Sequence, residues 1–193
     1  MRQPLWSSSL WLWFVLMTIL SATGSLVSSS YLDKATAHSM VAWEMAGSAA
    51  QSQKLMNAWG SEGKSLAAFC LGFDFFFIAA YVTSIGLACL WARDGFKERG
   101  WPLAGLGLIL SVAMVAAGLF DGIENYALLQ QLLHGPDDSC AYVARVFSIL
   151  KFGIVVPALI FSALGSIAQE KPIVGLILGV ITALVIRPVW TTF

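Results

Sequence analysis

The sequence predicts an all-α integral membrane bundle. It has four core transmembrane helices, a fifth C-terminal helix and a short helical extracytoplasmic segment between the first two spans. Three observations lead there. Of 193 residues, 58% are hydrophobic and only 11% are charged, whereas a soluble domain carries about 25% charged residues. Long apolar runs alternate with short polar turns. No alternating strand pattern appears, and lipid tolerates only backbone whose polar groups are paired internally. With a mean hydropathy of +0.78, the chain reads as one transmembrane domain over 1–193.

The first span is expected over 10–27. The preceding MRQPLWSSS resembles a signal-peptide start, but the run is read as a retained helix. Residues 28–64 form the largest polar segment, with two short helices. One covers 37–46 and closes at Gly47. The other opens at Ser48, where Ser-Ala-Ala-Gln is a capping-box pattern, and stops at Gly60. Leu55, Met56 and Trp59 give this second helix an apolar side, which places it on the membrane surface or over the bundle.

The second span is expected over 66–92, followed by the polar turn RDGFKERG. The third, 101–133, is too long for one perpendicular crossing, so it tilts or projects. After HGPDDSC comes the fourth span, 141–168, with a kink expected at Pro157. A fifth crossing is expected over 172–190. Arg2, Arg93, Lys97, Arg99 and Lys171 fall on one side under this topology. The positive-inside rule then puts the N-terminus in the cytoplasm of a cell bounded by this plasma (inner) membrane.

Five ionisable residues interrupt the apolar spans: Asp74, Asp121, Glu124, Arg145 and Lys151. Each ion near the bilayer centre costs about 2.5–3.5 kcal/mol on insertion scales, so they are expected to face one another. On the third span Gly118, Asp121, Glu124, Asn125 and Leu128 follow helical spacing. Asp74, Tyr81 and Ser84 lie near one face of the second; Ser148, Lys151 and Val155 share a face of the fourth. Counted from the outer helix ends, Asp74, Asp121, Glu124 and Lys151 lie about 12–18 Å deep. One polar chamber in the outer half of the membrane follows, with Arg145 at its rim.

Asp121 and Glu124 are the candidate catalytic acid/base pair. Asp74, Tyr81, Asn125, Arg145 and Lys151 are the candidate ligand-binding residues. Like charges this close cannot all stay ionised, so at least one carboxyl is expected to hold a proton. Glu44 and His38 are expected to reach the mouth of the chamber from the loop. Phe73, Phe75, Phe76 and Phe77 flank Asp74, and most of these rings are expected to pack or to face lipid.

The composition excludes several classes. Eleven bases balance eleven acids, with no basic stripe for nucleic acid. Cys70 and Cys89 stand about 28 Å apart along one helix, beyond disulfide reach. No metal-ligand spacing, nucleophile elbow or dinucleotide turn occurs, so no metal and no cofactor is expected. The function expected is binding or proton-transfer chemistry on a membrane lipid or other small amphiphile. The alternative is a non-enzymatic accessory subunit or assembly factor of a larger membrane complex, with the ions as structural glue. The patterns Gly118–Gly122 and Gly175–Gly179 offer GxxxG faces for a homodimer or for such a complex. A coupled carrier fits less well, because no discontinuous repeat is visible.

Overall fold

A computed structural model describes residues 40–171, together with 16, 19, 173, 175–177, 179, 182 and 183. The expected first span (10–27), the start of the 28–64 segment and the fifth crossing as a whole (172–190) lie outside the continuously described residues. Four helices occupy the described core: α1 (Met40–Glu44), α2 (Ala49–Glu98), α3 (Ala104–His134) and α4 (Asp138–Ala168). No strand occurs among the described residues. α2, α3 and α4 are each long and apolar enough to cross a membrane. Each of these three packs against the other two, and α1 rests on α2 and α4.

Local chemistry sets the helix starts. Ser48 is extended (φ −146°, ψ 152°), and its Oγ accepts the Gln51 N–H at 3.4 Å. The next free donor, Ala49 N–H, is taken by Asp138 Oδ1 at 2.7 Å. The first turn of α4 thereby helps to cap α2. Asp137 does the same for its own helix, accepting the Cys140 N–H at 3.0 Å. At the opposite end Arg99 donates through Nε to Ala168 O at 2.7 Å, closing the exposed carbonyl end of α4.

The short helix expected to end at Gly60 does break there, but the chain does not leave helical structure. Gly60 adopts φ 64°, ψ −165°, and helix resumes on its far side. Positive φ is open to glycine at little steric cost. The segment before the break and the long apolar part after it therefore form one kinked element. Ser52, Met56, Trp59, Gly63, Ala67 and Cys70 are all buried along it. They recur every three or four residues, so one apolar stripe runs through the kink. This holds the first turns of α2 against the bundle as a cap, together with α1.

Two further expectations meet the structure directly. α3 has 31 residues, a length of about 46 Å against a hydrocarbon core of about 30 Å. Pro157 lies inside α4, which continues on both sides of it.

The bundle interior is layered. One apolar cluster joins Cys89, Ala92, Phe96, Met114, Ala117, Ala158, Leu159 and Phe161. A second joins Trp43, Met56, Trp59, Ala67, Leu71, Leu128 and Ala144 beneath the cap. Close helix approach comes from small residues. A Cβ on Gly165 would collide with Ala92. In the 118–122 pattern, a Cβ on Gly118 would lie 2.7 Å from Val82 Cγ2, whereas Gly122 has nothing within 4 Å. Gly118 thus serves packing of α3 on α2 within the chain. Leu108, Val112, Val115, Leu119 and Tyr126 on α3 are exposed, as a lipid-facing side requires.

Candidate functional site

Between the two apolar clusters lies a polar layer. On α3 it falls after Met114 and Ala117 and before Ala127 and Leu128. On α4 it falls between Ala144 and Val155. The helical period sends Asp121, Glu124 and Asn125 of α3 inward, and all three are buried. From α4 the same period turns Ser148 and Lys151 toward them, also buried.

Lys151 is the centre. Its Nζ donates to Asp121 Oδ1 at 2.8 Å and lies 2.9 Å from Glu124 Oε2. Glu44 of α1 reaches the same ammonium from above, with Oε2 at 3.9 Å. Ser148 Oγ donates to that Glu44 oxygen at 3.5 Å. The second oxygen of Asp121 accepts the Tyr81 hydroxyl at 2.8 Å. Beside this set, Asn125 Nδ2 donates to Asp74 Oδ2 at 2.6 Å. Four helices thus converge at one level. An ion pair in such surroundings persists because each charge would otherwise meet hydrocarbon alone.

The balance of charge is uneven. Lys151 is in ion-pair reach of three carboxyls, Asp121, Glu124 and Glu44, and Asp74 stands nearby through Asn125. Asp121 has a partner for each oxygen. Glu124 does not: it is wholly buried, at 0% exposure, and its Oε1 has no hydrogen-bond partner. Such a group can hold a proton or pass one on, because a carboxyl is a donor when protonated and only an acceptor when ionised.

Six of the seven residues singled out in the sequence therefore meet here: Asp74, Tyr81, Asp121, Glu124, Asn125 and Lys151. Arg145, partly buried, lies one turn before Ser148 on α4. Its side chain covers Gly47 so closely that a Cβ there would lie 2.7 Å from Arg145 Cδ. Phe75 and Phe76 are exposed and do not enclose Asp74; Phe77 instead packs on Tyr81, centroids 5.3 Å apart.

Sequence reasoning put Glu44 at the mouth of the chamber and Ser148 on the Lys151 face, but gave neither a role in the site. Ser148 carried a signal, since it shares the Lys151 face. Glu44 carried little: nothing in composition separates it from Asp33 or Glu62 in the same polar segment. It is the burial of the adjacent Trp43 that fixes its direction.

Among the described residues, no three His, Cys, Asp or Glu side chains converge as metal ligands. An open depression of about 440 Å³ lies at the other end of the bundle, lined by Glu98, Arg99, Ala168, Gln169 and Glu170. It is remote from the Lys151 layer. No family model, curated protein or solved structure matches this chain, so its chemistry is read from its own side chains.

Proposed function

We propose that this chain is a multi-pass protein of the plasma membrane whose buried Lys151 cluster carries out proton-transfer or binding chemistry on a small amphiphile. Glu124 and Asp121 are the acid/base pair. Lys151 balances their charge, and Asp74, Asn125 and Tyr81 orient them. Glu44 closes the site from above. The observation that carries this reading is the meeting of three carboxyls at the Lys151 ammonium, with Oε1 of Glu124 left without a hydrogen bond. A purely structural pair would need one acid for one base. The apolar clusters above and below the layer would take an acyl or isoprenoid tail, and the polar layer its head.

A second reading has its own support. Lys151 touches Asp121 and Glu124 directly, as internal glue in a subunit of a larger complex would. Glu124→Gln separates the two. Native mass spectrometry of the purified protein reports a retained amphiphile and the subunit count together. If the variant folds and expresses normally but loses the retained molecule, the site reading stands. If it loses only folded protein, or wild type carries no such molecule and co-purifies with a partner, the glue reading replaces it.

The charge pattern of the turns supports an orientation with the N-terminus and the Arg93–Arg99 turn in the cytoplasm. The Asp137–Asp138 turn and the α1–α2 cap then lie outside.

A further inference from the structure

Glu124 Oε1 is not the only buried polar atom without a hydrogen-bond partner. Trp43 Nε1, Ser52 Oγ, Trp59 Nε1 and both amide atoms of Gln131 also lack one. Ser52 and Gln131 are 0% exposed, Trp43 1% and Trp59 4%. Among the described residues, every buried side-chain polar atom without a hydrogen bond belongs to these five side chains. All five lie in the outer part of the bundle. Glu124, Leu128 and Gln131 follow one another along the buried face of α3, so Gln131 stands about 10 Å above Glu124. Ser52 occupies the first turns of α2 on the stripe that continues through Met56 and Trp59. The bond from Ala49 to Asp138 ties this turn to the start of α4, which lies just after the end of α3. The rings of Trp43 and Trp59 meet edge to face at 5.1 Å, within the apolar cluster that holds Leu128.

We propose that these groups line a water-filled proton path joining Glu124 to the outer surface through Gln131 and Ser52, beneath the α1–α2 cap. This deepens the proton-transfer reading above and rests on it. Buried polar groups in folded proteins are almost always paired, by protein or by ordered water. Water suits this set because it both donates and accepts: Gln131 Oε1, Ser52 Oγ and Glu124 Oε1 are acceptors, while the two indole N–H groups and the Gln131 amide are donors. A single water needs little space and two to four such partners. About three waters at ordinary hydrogen-bond spacing span the distance from Glu124 to Gln131. Ser52 is flanked by the exposed Gln51 and Gln53, where the path opens.

The transfer balances without any co-reactant. The Glu124 carboxyl gives its proton to the first water. Each water passes a different proton outward, and one leaves to bulk solvent. The carboxylate that remains is held by the Lys151 ammonium, which it shares with Asp121. Groups facing it are Glu44 from α1, Asp121 from α3 and Lys151 from α4, with Tyr81 and Asp74 of α2 beyond them on Asp121 and Asn125. Gln131 and Ser52 do not titrate; they hold the waters in line.

Infrared spectroscopy of the full chain in lipid nanodiscs tests this during exchange from H2O to D2O. The carbonyl band of protonated Glu124 is identified by its loss in Glu124→Gln. In wild type this band shifts quickly on deuteration. Gln131→Leu should slow the shift roughly tenfold to a hundredfold, the scale of losing one positioned proton-transfer group. Ser52→Ala and Trp43→Phe should slow it less, and both are mild enough to keep the fold if Gln131→Leu does not. An unchanged exchange rate in the folded variants overturns the path and leaves the proton-binding site intact. No Glu124-dependent carbonyl band at any pH overturns both.

Discussion

Lys151 is the residue on which the interior depends. Its ammonium is within ion-pair reach of Asp121, Glu124 and Glu44, so removing it strands acids in a place with little water. Breaking one partner out of a buried pair costs on the order of 3–5 kcal/mol. Lys151→Met should therefore lower the thermal unfolding midpoint in detergent sharply, followed by tryptophan fluorescence. Adding Asp121→Asn and Glu124→Gln to the same protein should restore much of that loss, since the stranded charges are then gone. A triple variant no more stable than Lys151→Met would show that the acids contribute little to the deficit. Most of this was legible from residue type and helical spacing alone. Spacing placed Asp121, Glu124 and Asn125 on one face and Lys151 opposite, because a helix of fixed period leaves little freedom. It put Glu44 only as far as the mouth of the chamber, because the direction of that side chain comes from the tertiary packing of a five-residue helix.

At the scale of elements, the beginning of α2 carries the most information. The Ser48 cap was readable as a local pattern, and its bond to Gln51 bears it out. Ser48→Ala should cost about 1 kcal/mol, seen as faster amide exchange in the first turn of α2. Gly47 is the harder position. Its φ is +70°, and Arg145 lies where a side chain would go. Gly47→Ala should cost on the order of 1–2 kcal/mol for the backbone alone, and it also displaces the guanidinium. Gly165→Val should separate α2 from α4 near Ala92, lowering the yield of folded protein in a fluorescence size-exclusion assay. The break at Gly60 was likewise legible. That helix resumes at once was not, because the continuity depends on a stripe of buried residues shared across the kink rather than on any local stop or start signal.

For the molecule as a whole, composition sufficed for the helical membrane class, since a chain this poor in charge has few other ways to be stable. The number of crossings is a different matter. α2, α3 and α4 account for three apolar helices, and the remaining expected crossings fall outside the continuously described residues. The orientation can be measured with the chain's own thiols. Cys70 and Cys89 are buried and Cys140 is partly accessible at the end expected to face outward. A membrane-impermeant maleimide applied to intact cells should modify Cys140, and a cysteine placed at Lys97 should react only after the cells are opened. The reverse pattern would invert the topology. The polar layer has one last consequence, for biosynthesis. Asp121 meets Lys151, its counterion, 30 residues further along the chain. When α3 leaves the ribosome its acids have no such partner yet. The translocon is therefore expected to hold α3 until α4 arrives, and to release the two into lipid as a hairpin.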